Sequence, residues 1–248
     1  MIEWKNKYCP TFINGEYWGV AHPKESRNFW ADQEMVRTIS DGTVIELDVH
    51  KNPTYFPEID QVKDWGTGTI TSTRTFKYGI FEFEYLLPIG AYLWPAIWLS
   101  STLSWPPEID IMEAWSGCGY FCKGKPNYKK FLGFNKIHPG VFYKDVEKNG
   151  SKGYGCFGTD NVTYQWWQHL NDINTCKLVW TADVMEFYYN NHLVKKETDR
   201  YILCKQHDPM YLIFDLFLCE EFSDQHYAWY KEHGRPFRIL DFKYTPTE

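Results

Sequence analysis

The sequence predicts an all-β sandwich, on three observations. Apolar residues recur with period two in many short runs. Gly, Pro, Asn and Asp punctuate those runs, and no stretch carries the 3.6-residue period of a long amphipathic helix. Many short strands with frequent turns pack sheet on sheet rather than around helices. The 248 residues, 44% of them hydrophobic, suffice for one large all-β domain. No linker, repeat or low-complexity segment divides them, so residues 1–248 read as a single domain.

The first 35 residues are aromatic and polar, with Asn14-Gly15 as a turn signal. Val36 to Val49 reads as a hairpin, two apolar runs around Asp41-Gly42. Residues 50–64, with Pro53 and Pro57, read as loop. From Gly66 the pattern is strongly β, and Thr69 to Phe76 alternates Thr and Ser with larger residues. Tyr78-Gly79 leads into Ile80 to Tyr85, which places Glu82 and Glu84 on one face. Pro88 and Gly90 turn the chain into Leu93 to Leu99, where Trp94, Ala96 and Trp98 share a face.

An acidic strand follows, then a Gly/Lys/Cys-rich loop over 116–130 and a strand from Leu132 to Tyr143 that carries His138. Gly150, Gly153, Gly155 and Gly158 mark the next loop, and residues 164–172 read as a short helix or turn. Lys177 to Trp180, Met185 to Tyr189 and His192 to Lys196 read as successive strands with Asn190-Asn191 as a tight turn. Tyr211 to Cys219, almost continuously apolar, reads as a central strand buried on both sides. Residues 222–234 form a short helix or loop, and Phe237 to Tyr244 is the last strand.

The chemistry concentrates in Glu108-Ile109-Asp110-Ile111-Met112-Glu113, three carboxylates within six residues on a strand with one apolar face. Like charges this close repel, so a row of them serves binding or reaction. In a regular strand Glu108 and Asp110 point the same way and position 112 follows them, yet the third carboxylate comes one residue late. One extra residue, a β-bulge, returns Glu113 to their face, and bulges gather at active sites. Carboxylates on one strand face suit acid/base work on a glycosidic bond, where one must be ionised and another protonated. An aspartate between them can hold a proton or hydrogen bond that tunes both. A solvated acidic edge strand is the plain alternative.

Net charge is −6 with six arginines and no basic block, which argues against nucleic acid as a partner. The 12 Trp and 18 Tyr exceed what a core this size needs; flat rings along a cleft hold the apolar faces of sugars, while core packing accounts for most of them. The seven cysteines have neither a disulfide framework nor zinc spacing, so reduced thiols are the default for a protein made and kept in the cytosol, and one or two disulfides the alternative if it is exported. The N-terminus has no basic n-region or apolar h-region, and no run approaches the ~20 apolar residues of a membrane span. The expectation is a soluble, monomeric protein without a membrane partner or visible signal peptide, compatible with action outside the cell.

Tyr78-Gly79-Ile80-Phe81-Glu82, Leu93-Trp94-Pro95-Ala96-Ile97-Trp98-Leu99 and the acidic hexapeptide follow one another at short intervals. Together they resemble glycoside hydrolase family 16, the β-jelly-roll endo-hydrolases of β-glucans and β-galactans. Lys177-Leu178-Val179-Trp180 with Met185-Glu186-Phe187-Tyr188, Pro209 to Ile213 and Leu240 to Tyr244 extend the resemblance over most of the chain. It departs at Pro107, where the family often has Gly, and at Asp215-Leu216 and Glu220-Glu221, where the family has Asn-Leu and Gly-Gly.

The resemblance implies a jelly roll of two curved antiparallel sheets with a concave substrate cleft. It implies a retaining double displacement, with Glu108 as nucleophile, Asp110 assisting and Glu113 as acid/base. Retention needs carboxyl groups about 5–5.5 Å apart, which a concave sheet plus the bulge makes attainable. Glu82 matches a cleft glutamate, and His138 falls where many bulge-type members place a His near the acid/base. Trp94 and Trp98 line the cleft or pack the core, and Trp115 is expected on the catalytic face as a sugar platform. Arg74 reaches the substrate or is solvated. Asp241 matches a position that helps hold a structural Ca²⁺ in part of the family; the chemistry itself requires no metal or other cofactor. The expected partner is a polysaccharide, β-1,3-glucan or mixed β-1,3/1,4-glucan first, agar- or carrageenan-type galactan second. A non-catalytic glycan-binding jelly roll is the alternative of another class.

Overall fold

The computed structural model describes residues 4–5, 11–13, 16–18, 28–40, 44–57, 60–116, 136–144, 154–157 and 172–247. Within them, alternate residues are buried along strand after strand, clearest in Gly79–Leu86, Asn174–Trp180 and Met185–Tyr189. Each such strand has one apolar face, and two seven-stranded antiparallel sheets bury those faces against each other.

The first sheet runs in the order Trp4–Lys5, Thr69–Phe76, Met210–Leu218, Leu93–Ser101, Glu108–Trp115, Lys136–Lys144, Tyr154–Phe157. The second runs His192–Glu197, Met185–Tyr189, Asn174–Trp180, Gly79–Leu86, Phe237–Thr245, Val44–Leu47, Val36–Ile39. This is the expected all-β jelly-roll sandwich. Its core joins Ile97, Ile109, Met112 and Phe214 of the first sheet to Phe81, Phe83, Trp180 and Phe187 of the second. Phe83 meets Phe214 edge-on with ring centroids 5.8 Å apart. Met210–Leu218 sits between two neighbours, as its apolar run predicts.

The chain crosses between sheets at Tyr78-Gly79, where Tyr78 has φ 57° and Gly79 φ 135°. A side chain at Gly79 would run into the Tyr244 ring, so the turn needs glycine on both counts. Val36–Ile39 and Val44–Leu47 pair as the expected hairpin, although Asp41-Gly42 lies outside the described residues. Also outside them are Asn14-Gly15, residues 117–135 and residues 158–171.

Residues 50–64 depart from expectation. They are not loop but most of an antiparallel pair, Val49–Phe56 with Gln61–Thr67, and Phe29–Ala31 adds parallel to it. Proline is tolerated there because the register shifts between Lys51 and Thr54, around Pro53. The 222–234 segment contains an α-helix, Asp224–His233, with Asp224 in its first turn and Lys231 and His233 in its last. Tyr230 ties it to the sheets by donating to Asp48 Oδ1 at 2.6 Å.

Candidate active site

Glu108–Trp115 lies between Leu93–Ser101 and Lys136–Lys144. On one side Asp110 pairs with Trp98 and Met112 with Ile97, leaving Ile111 as an extra residue. On the other side Asp110 pairs with Gly140 and Glu113 with His138, across the same irregularity. Ile111 and Met112 both enter the core, each at 0% exposure, and the alternation resets so that Glu113 joins the outer face. This is the bulge that the spacing predicts. The extra residue of a bulge drops out of the ladder; here Tyr189, fully buried in the second sheet, donates to the Ile111 carbonyl at 3.0 Å.

Each carboxylate of the row has its own support. Trp105 donates its indole N–H to Glu108 Oε2 at 2.8 Å and leans on Phe142, which pairs with Glu108 across the ladder. Trp94 donates to Glu113 Oε1 at 2.9 Å. Asp110, 3% exposed, is hydrogen-bonded to Glu108. It fits because Gly140 stands opposite: a Cβ there would overlap Asp110 Oδ2. A further carboxylate, Asp215 on Met210–Leu218, is completely buried and accepts the Trp98 indole N–H at 2.6 Å.

Crowding these groups changes their acidity. Burial pushes the Glu108 carboxyl up to about 8, the charges of Glu113 and Asp215 add to it, and hydrogen bonds from Trp105 and Asp110 oppose it. Burial also drives Asp110 well above the ordinary carboxylate range. The charges of Glu108 and Asp215 and the hydrogen bond to Glu108 act the same way, while Lys195 opposes them. The hydrogen bond favours ionised Glu108 and protonated Asp110. The two therefore titrate as a coupled pair, both held toward the protonated form by burial, and where the pair carries a single proton the hydrogen bond favours Asp110 as its holder.

Trp94 and Trp98 both lie on this face. Trp94 is half-buried beside Glu113, and Trp98 at 6% exposure forms the floor with Ala96 and Ile213. Trp115 corrects the expectation of a sugar platform. At 1% exposure its ring is packed against Trp94, 5.6 Å away, with Tyr92 and Cys219 around it, so it backs Trp94 and offers no free face. Glu82 is also corrected. It alternates with buried Phe81 and Phe83, points outward from the second sheet and sits 3.7 Å from Lys243. The thickness of the sandwich separates it from the carboxylates.

The backbone of His138 faces Glu113 in register, while its side chain is outside the described residues. Arg74 is exposed and lies over the Phe76 and Tyr244 rings. Asp241 is exposed, accepts the Phe242 amide and pairs with Glu84 across the strands. Among the described residues the one group of three potential metal-ligating side chains is Asp32, Glu34 and His50, with ligand atoms within 4.8 Å of one another. There Asp32 is already engaged by His50 at 2.6 Å, Asn52 at 3.3 Å and the Glu34 amide at 2.9 Å.

Trp105, Gly140, Asp215 and Tyr189 escape the sequence reading as site residues. Asp215 alone leaves a signal, as the one charge within the apolar run Tyr211 to Cys219.

No family model matches the chain. A β-1,3-glucan-binding protein from Penaeus monodon is 29% identical over 129 residues, covering 49% of this chain and 32% of the relative. The endo-1,3-1,4-β-glycanase ExsH of Rhizobium meliloti is 22% identical over 159 residues, 62% of this chain and 28% of the relative. The chain thus spans about a third of each relative's length. Among solved structures, Zobellia galactanivorans LamA with bound laminaritriose and laminaritetraose superposes with a TM-score of 0.68 at 18% identity, covering 98% of this chain and 92% of that one. A Bacteroides ovatus mixed-linkage-glucan GH16 protein with its product gives 0.62 at 18% identity over 88% and 89%. The chain shares their fold.

Proposed function

We propose that this chain is an endo-acting, retaining β-glycan hydrolase of the family 16 type, cutting β-1,3-glucan or mixed β-1,3/1,4-glucan. The observation that carries the reading is the bulged acidic strand, with a glutamate at each end of the row held by its own tryptophan N–H and Asp110 bonded to Glu108. The acidic motif, the fold and the likeness to a glycanase and a glucan-binding protein support it.

In this mechanism Glu108, ionised, attacks the anomeric carbon while Glu113 gives its proton to the departing glycosidic oxygen. The C–O bond breaks and a glycosyl ester forms on Glu108. Glu113, now a carboxylate, takes a proton from water as that water attacks the same carbon, and Glu108 leaves as carboxylate. Asp110 keeps its proton throughout and donates a hydrogen bond to Glu108, stabilising the charge Glu108 bears at both ends of the cycle. These steps use protein carboxylates and water alone. Trp94 and Trp105, both half-buried, flank the row and offer ring faces to sugars on either side.

The test is reducing-sugar release from laminarin, mixed-linkage glucan, xyloglucan, agarose and carrageenan by wild type, Glu108→Gln and Glu113→Gln. Release from a β-glucan, lost in both variants with glucan binding retained, is the expected result. Release from agarose or carrageenan alone would redirect the substrate to galactans. The likeness to a glucan-binding protein favours one second reading, binding without cleavage; retained binding with no release from any glycan would establish it.

A further inference from the structure

Asp215 belongs to none of the roles in that mechanism, yet its placement is specific. Met210–Leu218 is separated from the acidic strand by Leu93–Ser101 alone. In register, Asp215 pairs with Ala96 on that intervening strand and with Thr69 on the other side. Trp98, two residues beyond Ala96, pairs with Asp110 and sends its indole N–H back to Asp215 at 2.6 Å. One indole therefore stands between two buried carboxylates, its backbone against Asp110 and its N–H on Asp215. Trp98, Ala96 and Ile213 pack as a cluster apart from the sandwich core, on the carboxylate face.

We propose that Asp215 is a fourth carboxylate of this site and a positioning residue, which fixes the Trp98 indole beneath Asp110 and biases the shared proton of the Glu108–Asp110 pair by its negative charge. The inference rests on the proposed reaction for its purpose, though the proton bias exists whether or not the chain is a hydrolase. A buried carboxylate in a run otherwise made of Tyr, Leu, Ile, Phe and Cys is costly to keep unless its charge has a use. Charged or titratable groups facing this cluster are Glu108, Asp110 and Glu113 on the acidic strand, with Lys195 acting on Asp110 from the second sheet. The flanking strand contributes no charge there, only the hydroxyls of Thr69 and Thr71, and the strand of Asp215 itself contributes Tyr211. The sign follows from like charge: ionised Asp215 disfavours ionisation of both Glu108 and Asp110, in line with the direction found for each.

The experiment is a carboxyl ¹³C NMR titration of the 248-residue chain labelled at Glu Cδ, with the Glu108 signal assigned by its loss in Glu108→Gln. Asp215→Asn keeps an acceptor for Trp98 and removes the charge. It should lower the Glu108 midpoint by about one pH unit, the size expected for one nearby charge at intermediate dielectric. Trp98→Phe removes the N–H that stabilises ionised Asp215 and should move the same midpoint down by a smaller amount, which keeps the test decisive if Asp215→Asn does not fold. A Glu108 midpoint unchanged in every folded variant overturns the proposal. In parallel, the acidic limb of kcat/KM on the glucan that wild type cleaves should move down with Asp215→Asn by the same interval. Inactive wild type would sink the hydrolase reading and leave the titration to decide the role of Asp215.

Discussion

One methyl group added at position 140 tests whether the Asp110 socket is as tight as the register makes it. Gly140 stands directly across the ladder from Asp110, and a Cβ built there overlaps Asp110 Oδ2. The glycine φ is not in the left-handed region, so Gly140→Ala carries a steric penalty alone. Asp110 has little room to retreat: it is 3% exposed, bonded to Glu108 and flanked by Ile109 and Ile111, both at 0% exposure. Overpacking of this kind costs about 1–3 kcal/mol. At roughly 2–4 °C per kcal/mol for a chain of this length, Tm should fall by several degrees. A displacement of about 1 Å at a reacting group costs on the order of 100-fold in rate, so kcat should fall by one to two orders of magnitude while KM changes little. Thermal unfolding by circular dichroism and initial rates on the best glucan read the two effects separately. Val141→Ala, one residue on and buried in the sandwich core, is the control: it should lose stability and keep its rate. Gly140→Ala with wild-type Tm and wild-type kcat would refute the close approach. Lost stability at an unchanged rate would refute the link between the position of Asp110 and the chemistry.

Tyr189→Phe removes one hydroxyl from the far side of the core and leaves the Ile111 carbonyl of the bulge without that donor. A buried acceptor stripped of its partner costs about 1–3 kcal/mol, readable as a lower urea midpoint, and kcat should drop because the bulge positions Glu113. An unchanged midpoint would mean that the bulge holds without the bond. Stability should also depend on the pH at which it is measured. Glu108 and Asp110 have folded pKa values above their unfolded ones, so the folded state binds more protons in that interval and stability falls as pH rises. The contribution is intact below the ordinary Glu value of 4.5 and is lost as pH climbs through about 8. The Tm of Glu108→Gln relative to wild type should therefore increase between about pH 5 and pH 9; a constant difference would contradict the assigned direction.

Period-two alternation proved reliable for which side chains share a face and silent on which sheet a strand joins. Glu82 and Glu84 do share a face, as Ile80 to Tyr85 predicts, but the Tyr78-Gly79 turn delivers that strand to the second sheet and turns the pair away from the carboxylate row. Trp115 follows the same rule. Alternation from Glu113 places it on the catalytic side, and its burial comes from Tyr92 and Cys219, which arrive from segments that local spacing does not couple to it. Pro53 suggested a loop because proline cannot serve a regular ladder, and the ladder is irregular at that point.

The same division separates the acids from their donors. Glu108, Asp110 and Glu113 are legible because they occupy one strand, and the late third carboxylate announces the bulge by its spacing alone. What sets their protonation comes from elsewhere in the chain. Trp94 and Glu113 are 19 residues apart, Trp98 and Asp215 117, and Tyr189 reaches Ile111 across 78. Trp105 is only three residues from Glu108, yet its bond depends on the indole leaning against Phe142 on the next strand. Local spacing can thus nominate a row of carboxylates, but not say which of them keeps the proton. That choice is made by burial and by tertiary neighbours, and it is why Asp215, whose sequence signal is only that of one charge in an apolar strand, becomes chemically informative beside Trp98 and Asp110.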